Sequence, residues 1–285
     1  MSVSRGKRAG PVVRKGARFP FETAVVCWMD LLGYGAMIAE AEFNPLHPKA
    51  LDALKRLRQF HKTVASLSDR HFPTLVMNDG AAAYRDLSLR SCEPTYEFLL
   101  RAWGLFNAIQ KEENAGGFPG VRMVVATGFR MRGRRAGIDA MAGHFQSLMK
   151  RFQDGSVSAT QALREASRIR QPFDIVPQLQ ANFAFTKAYL AERSGKEGGL
   201  VGAKFFVDLA LFDTPLPPWV VTGNTVNWCH DRLRMKASFG VVLDFVATRH
   251  AEGGPSGIRD GLRVAQHLVG NEQVLRALQA AQRSS

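Results

Sequence analysis

Two aspartates stand where the chain is predicted to end a strand or to turn. Asp30 ends the apolar segment 22–30, whose short length and β-branched content predict a buried strand. Asp79 lies in the Asn-Asp-Gly sequence 78–80, which is typical of a hairpin turn. Two carboxylates on adjacent strand ends can hold divalent cations, and such cations suit phosphoryl chemistry. Either aspartate alone is more typical of an ordinary strand end or turn, so the interpretation depends on the combination.

A glycine pair follows the first aspartate. Gly33 and Gly35 would expose backbone N–H groups where a phosphate could lie against the start of a helix. Other catalytic patterns are absent from the sequence: it has no Gly-Lys-Ser phosphate loop, no Gly-x-Ser-x-Gly and no dinucleotide-binding glycine pattern. The seven histidines show no metal-binding spacing with cysteines or acids. The two aspartates are therefore the strongest candidates for chemistry.

The chain is strongly basic, which favours polyanionic partners. Its 285 residues include 38 Lys and Arg against 25 Asp and Glu, a net charge of +13. Residues 1–18 hold six basic residues and no acid, and we expect residues 1–19 to form a flexible basic arm. A second group of arginines lies in 130–135, without the interleaved aromatic side chains that single-strand binding uses. A solvated surface is the simpler interpretation of both groups.

Cysteine usage and hydropathy limit the class of protein further. The three cysteines are too few and too scattered for a disulfide scaffold or a four-cysteine zinc site. No apolar run approaches the roughly 18–20 residues that a spanning helix needs, and no secretory signal pattern follows the basic start. We therefore expect a cytoplasmic protein without membrane insertion.

Apolar periodicity predicts the elements that position the aspartates. Helical spacing is found over 47–70, 94–112, 223–237 and 270–283, and strand-like composition over 121–129, 203–212 and 240–247. Residues 131–200 are polar and mostly helical by pattern, and we expect them to form a helical insertion within a single domain of residues 20–285. The order of elements predicts an α+β domain with one sheet and helices on one face.

Four segments, taken in order, resemble the motifs of class III nucleotide cyclases. They are WMDLLGYG around Asp30, VMNDGAAAY around Asp79, VRMVVATG at 121–128 and GNTVN at 223–227. The last is the closest match, to the family's Gly-x-Thr-Val-Asn at the start of its catalytic helix. In the second segment, Asn78 replaces a glycine. The segments span most of the chain, and the resemblance implies a class III cyclase-like domain with a mostly antiparallel central sheet and helices packed on it.

The resemblance also implies a mechanism. Asp30, Asp79 and the backbone carbonyl near Leu31 would bind two Mg²⁺ or Mn²⁺ ions, which assist attack of the ribose 3′-hydroxyl on the α-phosphate. Asn227 would orient the ribose, and an arginine on the same helix would neutralise charge at the α-phosphate. In this family the metal residues and the Asn/Arg pair come from different chains. A homodimer with composite active sites is therefore implied.

The catalytic arginine is the first departure from the family pattern. The family places it four residues after the asparagine, where this sequence has Asp231, and Arg232 lies one residue further on. A slip of one residue turns a helical side chain by about 100°. Either the turn before the helix absorbs the slip and Arg232 is the equivalent residue, or Arg234 or an arginine of 130–135 substitutes.

The base-reading positions are the second departure. The resemblance places them at Leu75 and Val220, and two apolar side chains cannot read a purine edge by the family's hydrogen bonds. Gly33 would contribute to substrate binding, and Tyr34 is a candidate for stacking on a base. This combination resembles the pyrimidine cyclases of Pycsar anti-phage systems. It implies that UTP or CTP is converted to cyclic UMP or cyclic CMP, which activates a separate effector protein.

Other functions remain open from the sequence. The chain could be a class III adenylyl or guanylyl cyclase with unusual base readers. It could instead be a basic nucleic-acid-binding or metal-dependent nuclease-like protein that uses Asp30 and Asp79. A cyclase-like binding module without activity is a further alternative.

Overall fold

Strands from both halves of the chain form one seven-stranded sheet. The computed structural model describes residues 21–131, 142–168, 176, 178–246, 255–269 and 272–283. The strands are β1 (Phe21–Leu31), β2 (Thr74–Met77), β3 (Gly80–Asp86), β4 (Val121–Met131), β5 (Phe205–Asp208), β6 (Val220–His230) and β7 (Met235–Phe245). They lie in the order β2-β3-β1-β4-β5-β7-β6. All neighbours pair antiparallel except β4 with β5, so the predicted α+β fold with a mostly antiparallel sheet is confirmed.

Helices connect the strands. In the described residues they are α1 (Tyr34–Glu40), α2 (Pro48–Leu67), α3 (Glu93–Ala115), α4 (Ala142–Gln153), α5 (Ala159–Arg168), α6 (Phe183–Ser194), α7 (Gly261–Leu268) and α8 (Glu272–Arg283). The predicted helices at 47–70, 94–112 and 270–283 correspond to α2, α3 and α8. None of the helices in the described ranges is long and apolar enough to cross a membrane.

The side chains of β1 alternate between two apolar layers, as the two-residue period of a strand requires. Val25, Cys27 and Met29 are buried in a core shared with α2 and α3. Val26 and Trp28 point the other way, into a smaller core shared with α6. Helices therefore cover both faces of the sheet, and the prediction that they lie on one face is wrong.

Helix α6 explains that error. It lies within the polar region 131–200, but Ala184, Ala188 and Ala191 form a small apolar stripe that is completely buried against the sheet. Alanines carry little hydrophobic signal, so the surrounding polar residues dominate the pattern. The division of the chain into an arm, a domain and an insertion stays a prediction, and the arm of residues 1–19 lies outside the described residues.

The predicted helix at 223–237 is also wrong, because this segment forms the β6–β7 hairpin. Asn227 pairs with Ser238 across the two strands, and residues 231–233 form a single 3₁₀ turn between them. The segment carries the β-branched run Val220, Val221 and Thr222 and then Thr225 and Val226, which favours extended backbone over helix. The GNTVN sequence therefore lies in a strand, and its match to the start of a catalytic helix fails.

The contact between α6 and β4 provides a test of the packing. A Cβ atom on Gly128 would lie 2.6 Å from the backbone nitrogen of Ala184, and backbone cannot move aside as a flexible side chain can. We expect Gly128→Ala to lower the free energy of unfolding by about 2 kcal/mol or more, measured by urea denaturation.

Gly104→Ala is the matched control. Gly104 is exposed in the middle of α3 and a Cβ there would meet nothing within 4 Å, so this substitution should raise stability by about 0.5–1 kcal/mol. Equal effects of the two substitutions would contradict the packing of α6 on β4.

Candidate active site

The structure brings Asp30 and Asp79 to the same corner of the sheet. Asp30 lies one residue before the end of β1, where it pairs with Gly80, the first residue of β3. The neighbouring N–H of Leu31 donates a hydrogen bond of 3.0 Å to the backbone oxygen of Asp79. The end of β1 and the β2–β3 turn are thus joined by a backbone hydrogen bond. This bond fixes the backbone positions of both aspartates relative to each other.

The β2–β3 turn depends on two special residues. Asn78 has φ of +57°, a left-handed conformation that asparagine tolerates better than most residues, and its Nδ2 donates to Oδ1 of Asp79 at 2.9 Å. Gly80 lies against Trp28, whose ring would be 2.7 Å from a Cβ atom at that position. The Asn-Asp-Gly sequence therefore both turns the chain and makes room for the tryptophan beneath it.

Two charged residues that the sequence analysis missed lie beside Asp30. Arg122 is the residue of β4 directly opposite Asp30 in the strand register, and it forms an ion pair of 3.0 Å with Glu192 of α6. Both side chains are largely buried. The sequence did contain a signal for Arg122. The two-residue period of a strand places it on the same face as the buried Val124 and Ala126, and a charged residue on a buried face requires a partner of opposite charge.

Burial and like charges disfavour ionisation of Asp30. Burial is the largest cause, the carboxylates of Glu192 and Asp79 add to it, and together they raise the pKa of Asp30 to about 7. The guanidinium groups of Arg122 and Arg56 lower this pKa and offset part of the effect. Burial likewise raises the pKa of Glu192, although its ion pair with Arg122 acts in the opposite direction.

A buried ion pair holds the turn that follows Asp30. Arg56 of α2 pairs with Glu113 of α3 at 2.5 Å, with both side chains buried, and it also donates to the backbone oxygen of Leu32 at 2.9 Å. Gly33 then has φ of +75°, and its backbone oxygen accepts the first hydrogen bond of α1, from Met37. The turn is consequently braced by the helical layer on the other face of the sheet.

The aromatic ring of Tyr34 is not exposed at this corner of the sheet. It is 8% exposed, and it packs within the core shared by α2 and α3. Burial is also the main reason that its pKa is raised. Tyr34 therefore contributes to packing rather than offering a surface on which a base could stack.

The two predicted base-reading positions lie apart. Leu75 is half-buried on β2 and packs against the core shared with α6, whereas Val220 is buried in the opposite core at the far end of the sheet. The family pattern places the second base-reading position relative to Asn227, so the assignment of Val220 fails together with the predicted helix. Leu75 and Val220 of one chain cannot contact the same base.

Asn227 and Arg232 lie far from the aspartates of the same chain, as residues contributed to a composite site by a second chain would. Asn227 is exposed on β6, at the edge of the sheet four strands from β1, and its Oδ1 accepts a hydrogen bond from Ser238 at 2.8 Å. Arg232 lies in the 3₁₀ turn, and Arg234 follows it with φ of +51°. The catalytic helix on which their assignment depended is a hairpin, so we do not assign them these roles.

The part of the 130–135 arginine cluster that the structure describes, Arg130, does not substitute for the family's arginine. Arg130 is buried and pairs with Asp86 and Glu22. Arg132, Arg134 and Arg135 lie outside the described residues. The arginines whose charge reaches Asp30 are Arg122 and Arg56.

The two aspartates fit a hard divalent cation that needs few protein ligands, such as Mg²⁺. In the part of the chain that the structure describes, no group of three or more His, Cys, Asp or Glu side chains is arranged to hold a metal ion. Mg²⁺ typically takes only one or two carboxylates from a protein and fills its other positions with water and phosphate oxygens. Asp30 and Asp79 match that requirement, whereas a closed structural metal site would need more ligands.

The chain has structural neighbours of low similarity. No family model matches the sequence, and no curated protein matches it. A crystal structure of the guanylyl cyclase Cya2 is 12% identical, with a TM-score of 0.49 over 84% of this chain and 98% of that one. The guanylate cyclase domain of RhGC from Catenaria anguillulae in complex with GTP is 8% identical, with a TM-score of 0.41 over 79% of this chain and 97% of that one.

A third neighbour is the catalytic core of a rhodopsin-guanylyl cyclase with converted specificity, in complex with ATPαS. It is 9% identical, with a TM-score of 0.39 over 79% of this chain and 97% of that one. At these values the comparisons assign no residue roles, and the functional argument depends on the site itself.

The raised pKa of Asp30 makes a prediction for stability. Between its ordinary pKa of 3.8 and about 7, the folded chain binds more protons than the unfolded chain, so this residue reduces stability as the pH rises. Asp30→Asn removes the effect. We compare the unfolding free energy of Asp30→Asn with that of the unsubstituted protein at pH 4 and at pH 8. The difference should change in favour of Asp30→Asn by about 2 kcal/mol from pH 4 to pH 8, after allowance for solvent screening.

The measurement is urea unfolding in buffers containing EDTA at both pH values. Asp52→Asn is the control, because Asp52 lies exposed on α2 in a surface ion pair with Lys55. An advantage of Asp30→Asn that is the same at pH 4 and pH 8 would contradict the electrostatic description of the site.

Proposed function

We propose that this chain is a metal-dependent nucleotide cyclase. The reaction joins the 3′-oxygen of a ribonucleoside triphosphate to its α-phosphorus, breaks the bond from that phosphorus to the bridging oxygen, and releases diphosphate. The observation that carries the proposal is the meeting of Asp30 and Asp79 at the linked ends of β1 and the β2–β3 turn. The adjoining turn at Gly33 adds the third part of the arrangement.

The residues of the site have different roles in binding the triphosphate and in balancing its charge. A divalent cation bound by Asp30 and Asp79 would draw the triphosphate to this corner and lower the pKa of the ribose hydroxyl. The amide groups of the turn around Gly33 favour phosphate oxygens nearby. Arg122 contributes fixed positive charge beside Asp30, which is most valuable as negative charge spreads over the phosphoryl oxygens. The proton of the hydroxyl leaves to solvent.

A pyrimidine triphosphate is the proposed substrate. Of the two predicted base-reading positions, Leu75 still supports this choice, because an apolar side chain offers no hydrogen bond to a purine edge. The sequence resemblance to the cyclases of Pycsar anti-phage systems points to the same class. In this proposal the product is cyclic UMP or cyclic CMP, made by a homodimer, and it activates a separate effector in anti-phage defence.

The assay that tests the activity uses each nucleotide separately. The full chain with Mn²⁺ is incubated with UTP, CTP, ATP or GTP, and the products are identified by mass spectrometry. We expect a 3′,5′-cyclic pyrimidine nucleotide from UTP or CTP. Asp30→Ala and Asp79→Ala should each lower its formation by about 100-fold or more, because each removes a carboxylate from the cation site.

Asp52→Ala serves as the control for removal of an acidic side chain, since Asp52 lies exposed on α2. Full activity in Asp30→Ala or Asp79→Ala would overturn the assignment of the site. A cyclic purine product would leave the reaction in place and overturn the pyrimidine assignment. Cleavage of added RNA or DNA by the chain, lost in the same variants, would favour a nuclease instead.

A further inference from the structure

Arg122 is held by three hydrogen bonds on the α6 side of the sheet. Its Nη1 donates to the carboxylate and to the backbone oxygen of Glu192, both at 3.0 Å, and its Nε donates to the backbone oxygen of Gly202 at 3.3 Å. The guanidinium thus has a fixed position over the end of β4. Within the described residues its second terminal nitrogen, Nη2, makes no hydrogen bond.

The packing of α6 leaves this ion pair little freedom. The side chains of Arg122 and Glu192 are 13% and 8% exposed. Gly195, just after the helix, lies so close that a Cβ atom there would be 3.4 Å from Nη1 of Arg122. Because Ala188 and Ala191 fix the same helix on the sheet, the pair has a defined distance from Asp30 on the neighbouring strand.

A second observation marks the same place. The indole nitrogen of Trp28 is buried and makes no hydrogen bond of ordinary geometry, yet it lies near enough to Glu192 to lower the pKa of that carboxyl. The indole N–H therefore faces the carboxylate of Glu192, on the same side of the sheet as Arg122.

We propose that Arg122 and Glu192 are a positioning pair, in which each charge adjusts the field that Asp30 and Asp79 present to a divalent cation. Glu192 increases the attraction for the cation, and Arg122 offsets it while holding Glu192 in place. This inference rests on the cation site of the proposed function. It assigns a part to two residues that lie on α6 and β4, outside the two aspartate motifs.

Opposite shifts in Mn²⁺ affinity test the pair. We expect Glu192→Gln to weaken Mn²⁺ binding by about 5- to 20-fold, because it removes a negative charge and leaves Arg122 unbalanced. Arg122→Met should strengthen binding by a similar factor, because Glu192 is then unpaired. The double variant should return to within about 3-fold of the unsubstituted protein. Binding of Mn²⁺ alone is measured by electron paramagnetic resonance at pH 8.0.

The controls separate electrostatics from folding. Glu97→Gln and Arg85→Met break a partly buried ion pair of 2.9 Å between α3 and β3, and neither should change Mn²⁺ affinity. Unfolding curves show whether each variant is folded, and Arg122→Lys, which keeps the charge, replaces Arg122→Met if the latter does not fold. Arg122→Lys should then match the unsubstituted protein in affinity.

Each other outcome overturns the inference. Weaker binding in both single variants, with no recovery in the double variant, would assign the pair a purely structural part. Failure of the unsubstituted protein to bind Mn²⁺ would overturn the pair and the cation site together. The function is judged separately: opposite shifts without cyclic nucleotide formation support the pair and reject the cyclase, whereas cyclic nucleotide formation without opposite shifts does the reverse.

Discussion

The alternation of side chains along β1 is the constraint on which the rest of the structure depends. Odd-numbered residues such as Cys27 and Met29 belong to the core under α2 and α3, and even-numbered ones such as Trp28 belong to the core under α6. Asp30 continues the even series. Its carboxylate is therefore placed on the α6 face, at the end of the strand where the apolar cover gives way to charged groups. A shift of one residue in the register would bury it among the helices of the other face.

That position has an energetic consequence. Burial and the nearby carboxylates make ionisation of Asp30 unfavourable, and Arg122 and Arg56 counter it. A corner with excess negative charge lowers the stability of the folded chain at neutral pH, and it raises the affinity for any cation that can enter. The same repulsion that destabilises the fold is what a metal-dependent phosphoryl site requires. The braces at Leu31 and Arg56 hold the backbone in place against this repulsion.

The sequence predicted the parts of the site that depend on local chemistry. A strand ending in Asp30 and a turn at Asn78 and Asp79 follow from composition and turn preference over a few residues, and both are present. The α+β sheet was also predictable, because most of its strands have distinct apolar runs. The sequence did not disclose Glu192, since its place depends on how α6 crosses β4, and the close approach of Gly128 to Ala184 that fixes this crossing leaves no pattern in the sequence.

The failure at GNTVN shows how a short motif can mislead. Five residues matched a helix start, but the β-branched residues around them and the pairing with β7 favour a strand, and hydrogen bonds along the whole hairpin outweigh the preference of a single turn. The helix that packs beside β4 and carries charge toward Asp30 is α6, about forty residues earlier in the chain. If a positive group is needed at the phosphate, the strand arginine Arg122 is better placed to provide it than Arg232. It is fixed by three acceptors, it lies in register with Asp30, and it needs no turn to absorb a one-residue slip.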